Sequence, residues 1–199
     1  MQVKFDEKTC QMELPDEYQL MDYGMDLYAP QSTLDEEGRR SLTAWLRMPE
    51  PVDGKWQGMM CIPRVVEAKE NHIYFRVHPN IRAAYTREIS APYEADESGY
   101  RVRFSLEDGE KVNIGGYIIY REGSRICTDR SSLYRKFTNH RVQFTTPELK
   151  EGFELEVYVN PNLIEVFVND GEAVISNTVY DLGKEIETDV KMRIETLEK

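Results

Sequence analysis

The chain has 199 residues, of which 40% are hydrophobic and 31% are charged, a composition typical of a globular protein that buries a core. Its 36 acidic residues outnumber its 25 basic residues and give a net charge of −11, so we expect neither nucleic acid nor an anionic membrane surface as a partner. The apolar runs are too short to span a bilayer, and the N-terminal residues lack an apolar signal core. These observations predict a cytoplasmic protein.

The cysteines are odd in number and widely spaced, which predicts neither a disulfide framework nor a metal-binding knuckle. They are Cys10, Cys61 and Cys127. The three histidines also lack the spacing of a metal site. We therefore expect no metal and no cofactor.

Short extended segments open the chain. Two apolar runs of strand length, residues 22–31 and 41–46, follow and are joined by an acidic turn that ends in glycine. This pattern predicts an antiparallel hairpin. The composition changes after Arg64, and we place a domain boundary there that separates residues 1–66 from residues 67–199.

Beyond residue 86 the chain is a series of short predicted strands separated by turns. Residues 100–106 alternate apolar and polar side chains, which predicts a strand with one buried face and one wet face. Gly115 and Gly116 indicate a bulge or a close backbone approach, and Asn169-Asp170-Gly171 is a strong hairpin signal. Many short strands with almost no helix predict an antiparallel β-sandwich.

The amino-acid sequence of the hairpin region is more specific than a β-hairpin requires. It contains Asp26-Leu-Tyr-Ala-Pro-Gln31 and Trp56-Gln-Gly-Met-Met60, followed by Ile62-Pro-Arg64. These segments resemble the invertase-type glycoside hydrolases, glycoside hydrolase family 32, in which similar segments close a catalytic β-propeller. The resemblance implies an all-β fold, with residues 1–66 as the remnant of the last propeller blade or blades and residues 67–199 as a C-terminal antiparallel β-sandwich.

The resemblance continues through the second half of the chain. Gly116-Tyr117 and Asp129-Arg130-Ser131 match segments of the family's sandwich, and Glu165-Val-Phe-Val-Asn-Asp-Gly171 matches its signature. The residues before that signature depart from the family pattern, because Asn160-Pro-Asn-Leu163 stands where the family has Asp-Arg-Ser-Ser. The departure puts a family role of that loop in doubt, and it does not concern the fold.

Catalysis by retaining glycosidases needs two carboxyl groups about 5 Å apart, one as nucleophile and one as acid/base. The resemblance implies a nucleophile in Trp-Met-Asn-Asp-Pro-Asn-Gly, a transition-state-binding aspartate in Arg-Asp-Pro and an acid/base glutamate in Glu-Cys. None of these three motifs occurs in the sequence. We therefore predict no catalytic residue in this chain.

Four residues are candidates for contact with a sucrose or fructoside substrate in a complete propeller: Asp22, Asp26, Tyr28 and Trp45. The resemblance implies that the strand carrying the first three approaches the central pocket, and Trp45 lies on the adjoining strand. Each also has a simpler interpretation. The carboxylates would cap a turn at a strand end, and the aromatic rings would pack in a core.

The sequence thus predicts the C-terminal part of a sucrose-6-phosphate hydrolase or β-fructofuranosidase that acts as a structural or assembly domain and has no hydrolase activity alone. A carbohydrate-binding β-sandwich module is the alternative. Without neighbouring blades, an apolar patch or open strand edge is expected at Leu27, Leu42, Trp45, Leu46 and Met59. We expect a homo-oligomer, or association with a separate N-terminal propeller chain, to cover it.

Overall fold

The structure, a computed structural model, describes residues 4–13, 18–95 and 99–198. Strands form nearly all the regular structure of these residues, with one α-helix and three short 3₁₀ helices, so the predicted all-β class is confirmed. The first strands are β1 (Lys4–Asp6), β2 (Gln11–Glu13), β3 (Leu27–Leu34), β4 (Arg40–Leu46), β5 (Met59–Met60), β6 (Arg64–Lys69) and β7 (His72–Val77), and helix α1 (Pro79–Ala84) follows them. The later strands are β8 (Tyr85–Ile89), β9 (Tyr100–Ser105), β10 (Lys111–Ile114), β11 (Tyr117–Glu122), β12 (Arg125–Asp129), β13 (Gln143–Thr145), β14 (Glu154–Asn160), β15 (Leu163–Val168), β16 (Ala173–Thr178), β17 (Ile186–Glu187) and β18 (Arg193–Leu197).

Three sheets form three layers. The first sheet, which we call the blade, has the order β3-β4-β6-β7, with β5 also paired to β4. The middle sheet has the order β16-β15-β14-β9-β18-β8, and the outer sheet has the order β13-β12-β11-β10-β17. Their pairings are antiparallel, so the middle and outer sheets form the predicted antiparallel β-sandwich. Strands β1 and β2 form a separate hairpin.

The main core lies between the middle and outer sheets. Val102, Val157 and Val166 of the middle sheet belong to one buried cluster with Val112 and Ile119 of the outer sheet. A second cluster joins the blade to the opposite face of the middle sheet. Its buried members are Leu42, Phe75, Val77, Tyr85, Tyr158, Phe167 and Val174.

Strands β15 and β16 are buried at every position because both of their faces are covered. In β15, Ile164 and Val166 point into the sandwich core, whereas Leu163 and Phe167 face the blade. Glu165 lies between these two and is fully buried as well. A nearly continuous apolar run is typical of a strand that is covered on both faces, and Glu165 is the exception in this run.

The predicted hairpin is confirmed, since β3 and β4 pair antiparallel across a turn that contains Gly38. The expectation that Leu42 and Leu46 contribute to an exposed patch is wrong. Both side chains are buried, because they lie on the face of the blade that packs against the middle sheet. Trp45 lies on the opposite face, with 38% of its surface exposed.

The predicted division between residues 66 and 67 falls inside β6. Strand β6 pairs with both β4 and β7, so the blade sheet continues to Val77. Pro79 then begins α1, where a proline is suited to the first turn of a helix. The blade sheet therefore ends at Val77, and the division between residues 66 and 67 stays a prediction.

Gly115 lies in the turn between β10 and β11, where the sequence indicates a bulge or a close backbone approach. Its N–H donates to the Glu185 carbonyl at 2.8 Å, and its carbonyl accepts from the Gly183 N–H at 2.9 Å. A Cβ at Gly115 would overlap the carbonyl oxygen of Gly183. The close approach is confirmed, and it holds the segment after β16 against the outer sheet.

Replacing Gly115 by alanine tests this contact. Gly115→Ala places a side chain at a φ of +57° and into the Gly183 carbonyl, whereas Gly109→Ala meets open space at a φ of +82°. We expect the free energy of unfolding of Gly115→Ala to fall about 1–3 kcal/mol further than that of Gly109→Ala, the usual effect of overpacking. Urea denaturation of both variants measures the difference. Equal losses would mean that the close approach contributes nothing beyond the backbone conformation.

Candidate functional site

Strand β16 is an edge strand of the middle sheet, and residues 22–26 run along its open side. The Tyr23 amide donates to the Val174 carbonyl at 2.8 Å. The Asp22 carboxylate accepts the Ser176 N–H at 2.9 Å. The backbone groups of an open edge need partners, and residues 22–26, which we call the edge clip, supply them.

Gly24 allows the edge clip to approach β16 closely, because a Cβ at this position would overlap the backbone of Ser176. The Gly24 carbonyl accepts a hydrogen bond from the Asn177 side chain at 3.0 Å. Asn177 Oδ1 in turn accepts from the Tyr117 hydroxyl at 2.6 Å. Burial raises the pKa of Tyr117, so the hydroxyl keeps its proton and remains a donor. This chain of contacts joins the outer sheet to the edge clip.

The side chain of Arg64 is fully buried between the edge clip and the middle sheet. Its Nη2 lies 2.9 Å from Asp22 Oδ2, 2.9 Å from Glu165 Oε1 and 2.7 Å from Ser176 Oγ. The second oxygen of Glu165 accepts the Ile62 N–H at 2.8 Å. Two carboxylates from different layers therefore share one cation.

The electrostatics of this cluster reflect its burial. Burial raises the pKa of Glu165, although the neighbouring Arg64 opposes the shift. Burial alone would lower the pKa of Arg64, but the charges of Asp22 and Glu165 outweigh it and raise that pKa. Burial also raises the pKa of the nearby Cys61 thiol to about 11, so Cys61 is protonated near neutral pH and is no nucleophile.

Asp26, at the other end of the edge clip, forms a second ion pair. Its two oxygens accept from Nη1 and Nη2 of Arg130. The same carboxylate accepts the backbone N–H and the hydroxyl of Thr178 at 2.9 and 3.0 Å. Arg130 directly follows β12 of the outer sheet, and its side chain is almost fully buried. This pair therefore also connects the outer sheet to the blade.

Tyr28 and Trp45 lie on the blade face that points away from the sandwich, opposite each other on β3 and β4. Their ring centroids are 6.0 Å apart with an interplanar angle of 73°, an edge-to-face arrangement. Their exposed fractions are 53% and 38%, and Met60, which pairs with Trp45, is 59% exposed. We call these three residues the open face.

The structure thus divides the four predicted substrate residues into two aspartates that are engaged by arginines and two aromatic residues on the open face. Sequence analysis missed Arg64, Arg130 and Glu165 as partners of the aspartates. A signal for Glu165 was present, because it interrupts an apolar strand run and a buried carboxylate needs a partner. The identity of that partner depends on the packing of the three layers.

The cluster of Asp22, Arg64 and Glu165 has two neighbouring carboxylates but is not a hydrolytic pair. Their side chains are 2%, 0% and 0% exposed, so both carboxylates face the protein interior and not solvent. A retaining glycosidase needs both carboxyl groups to face its substrate.

Two further kinds of feature are absent from the described residues. There, no group of three or more His, Cys, Asp or Glu side chains is placed to hold a metal ion. Across residues 4–13, 18–95 and 99–198, no helix is long and apolar enough to cross a membrane.

The charge on Glu165 can be tested through the pH dependence of stability. Because folding raises the pKa of Glu165 above its ordinary value of 4.5, protonation favours the folded state. This contribution is complete below the unfolded pKa and is lost as the pH rises through the folded pKa. Glu165→Gln removes the titration. As the pH rises from about 4 to about 7, the free energy of unfolding of this variant should therefore fall less than that of the wild type.

Urea denaturation across this pH range measures the slope for each protein. Glu148→Gln is the matched control, because Glu148 is an exposed partner of Arg125 and its loss should leave the wild-type slope unchanged. Parallel curves for the wild type and Glu165→Gln would contradict the assignment.

Two descriptions of one protein family match the chain. Glycosyl hydrolases family 32 N-terminal domain matches residues 1–79, and Glycosyl hydrolases family 32 C terminal matches residues 67–195. The two matches overlap over residues 67–79, which include part of β6 and all of β7, the last strands of the blade.

Curated relatives are similar along most of the chain. Sucrose-6-phosphate hydrolase of Vibrio alginolyticus is 26% identical over 182 residues, which cover 82% of this chain and 37% of the relative. Sucrose-6-phosphate hydrolase of Escherichia coli is 29% identical over 189 residues, which cover 84% of this chain and 39% of the relative. The chain therefore spans less than two fifths of the length of these relatives.

Solved structures share the fold. The β-fructofuranosidase of Bombyx mori superimposes with a TM-score of 0.75 at 18% identity, covering 98% of this chain and 46% of that one. Fructan 1-exohydrolase IIa of Cichorium intybus superimposes with a TM-score of 0.72 at 13% identity, covering 99% of this chain and 54% of that one. Because the C-terminal family description alone covers residues 67–195, this chain belongs to glycosyl hydrolase family 32.

Proposed function

We propose that this chain is the C-terminal part of a sucrose-6-phosphate hydrolase or related β-fructofuranosidase, in which it supports a catalytic propeller and has no hydrolase activity alone. The observation that carries this proposal is the four-strand path of the blade, which is fixed on a sandwich by one face and open on the other. The similarity to sucrose-6-phosphate hydrolases over most of the chain supports the same assignment.

The open face is suited to contact with another sheet. Tyr28, Trp45 and Met60 are large and apolar, and more than a third of each is exposed. Exposed apolar groups that lie together mark a site of interaction. In a propeller a neighbouring blade would cover part of this face, and the part left uncovered would line the central pocket.

The β3 edge of the blade is less suited to binding a partner than the open face is. Strand β3 is one of the two edge strands of the blade, and its register with β4 shifts between Tyr28 and Gln31. Ala29 has a φ of +48°, and Pro30 has no N–H to donate. Bulges and prolines both hinder the addition of a further strand. We therefore propose that a partner packs on the open face and does not extend the sheet at β3.

A second part of the proposal concerns the identity of the partner. We propose that the open face is covered by the remaining blades of a propeller supplied by a separate chain, or by a second copy of this chain. In a complete propeller we assign Tyr28 and Trp45 to contact with sucrose or a fructoside, since aromatic faces pack well against sugar rings. A mutant of the Bombyx mori β-fructofuranosidase has been solved in complex with sucrose. A sugar contact of Asp22 and Asp26 in a complete propeller also stays a prediction. In this chain both carboxylates are paired with arginines.

A cytoplasmic location is also part of the proposal. The three cysteines of the chain, all within the described residues, are free thiols. Two of them are buried, and free thiols are typical of proteins in a reducing compartment.

The purified chain should not release glucose or fructose from sucrose, sucrose-6-phosphate or inulin. The reason is that its two neighbouring buried carboxylates are inaccessible, and loss of catalytic groups lowers rates by several orders of magnitude. A coupled assay with sucrose-6-phosphate hydrolase of Escherichia coli as the positive control measures this. Turnover that survives purification and is abolished by Asp22→Asn or Asp26→Asn would reveal a site in this chain and contradict the proposal.

The open face should mediate association. We expect light scattering to show a mass above that of the monomer, or binding to a co-expressed N-terminal part of a sucrose-6-phosphate hydrolase. The double variant Tyr28→Ser/Trp45→Ser should lose either interaction, since it removes the exposed apolar rings. Tyr93→Ser is the control, because Tyr93 is 72% exposed but lies on the sandwich. A wild-type chain that stays monomeric at high concentration and binds no such fragment would rule this out.

A further inference from the structure

Arg130 connects all three layers with one side chain. It follows β12 of the outer sheet, and its Nη1 donates to the Thr178 carbonyl at the end of β16 at 2.8 Å. Its two terminal nitrogens bind Asp26, the residue before β3. Nη2 also donates to the Arg141 carbonyl at 3.1 Å. The three sheets therefore meet at a single buried guanidinium.

The orientation of this guanidinium is fixed by two aromatic rings. Its central carbon lies 3.9 Å from the ring centroid of Tyr134 and 5.0 Å from that of Phe144. The Tyr134 hydroxyl is itself hydrogen-bonded to Thr178 Oγ1 at 2.6 Å. A planar guanidinium that stacks on rings and grips a carboxylate with two nitrogens cannot be replaced by the point charge of lysine.

Asp26 connects Arg130 to the strands of the blade. Its carbonyl accepts the N–H of Arg47 at 3.0 Å, and Arg47 directly follows β4. The guanidinium of Arg47 lies 5.0 Å from the ring centroid of Tyr28, and Tyr28 contacts Trp45 edge to face. A short path of direct contacts thus runs from Arg130 to the open face.

We propose that Arg130 is a positioning residue that fixes the start of β3 and the end of β4, and so sets the geometry of the open face from the far side of the sandwich. The inference depends on the proposed function only for the identity of the partner or sugar that the open face binds. The competing explanation is that apolar contacts of Leu42 and Leu46 with the middle sheet hold these strands without Arg130.

Hydrogen exchange of the full chain, measured by mass spectrometry, separates the two explanations. The variants are Arg130→Met, which keeps an unbranched side chain without the charge, and Asp26→Asn, which removes the charge from the other partner. Arg125→Met is the matched control, because Arg125 lies on β12 and bonds to Thr146 and Glu148 at 3.0 and 3.2 Å.

Positioning predicts a selective effect. In Arg130→Met and Asp26→Asn, amides of β3 and β4 should exchange about tenfold faster or more, whereas amides of β14 and β15 should change little, because only the local opening becomes easier. Arg125→Met should match the wild type. In a Trp56→Phe background, the emission of Trp45 should also shift in both variants, because its surroundings change.

Two results would overturn the inference. Unchanged exchange of β3 and β4 would show that apolar packing suffices, and uniformly faster exchange across all strands would show a general loss of stability with no positioning. If Arg130→Met fails to fold, Asp26→Asn decides, since it leaves the arginine and its aromatic neighbours in place. The exchange experiment needs no partner and no substrate, so its outcome does not depend on whether light scattering detects association.

Discussion

The burial of β15 and β16 on both faces is the constraint on which the rest of the structure depends. One face of these strands closes the sandwich core, and the other would be in water without the blade. The polar groups that β15 and β16 direct toward the blade, among them Glu165, Ser176 and Thr178, need partners once water is excluded. Arg64 and the edge clip supply them. The blade and the sandwich are therefore parts of one packing unit.

The buried charges in this contact serve orientation more than stability. Removing two ions from water is costly, and apolar residues of similar volume often replace a buried ion pair without loss. Arg64 Nε and Nη1 have no hydrogen-bond partner among the described residues, so the cluster is not fully satisfied. The apolar contacts of the blade supply the favourable burial. The ion pairs instead require that the edge clip, β6 and β15 meet in one relative position.

Local patterns in the sequence determined which elements could be predicted. Turn residues and alternation are local properties, so the hairpin of β3 and β4 and the strands of the sandwich followed from them. The buried face of β4 did not, because Leu42 and Trp45 on opposite faces are both apolar. The partner of Asp26 is 104 residues away, and no spacing rule joins such a pair. The end of the blade at Val77 depends on the pairing of β6 with β7, whereas the composition changes earlier, at Arg64.

The segments that carry the family resemblance in this chain have a structural explanation that requires no catalysis. Asp22 and Asp26 lie on the edge of β16, Arg64 and Glu165 face each other across the contact, and Arg130 joins the outer sheet to the blade. Each of these residues fixes how a blade sits on a sandwich. Similarity in such segments identifies an architecture, while activity belongs to groups that meet the substrate. A chain can therefore match the family over nearly its whole length through residues that fix this architecture.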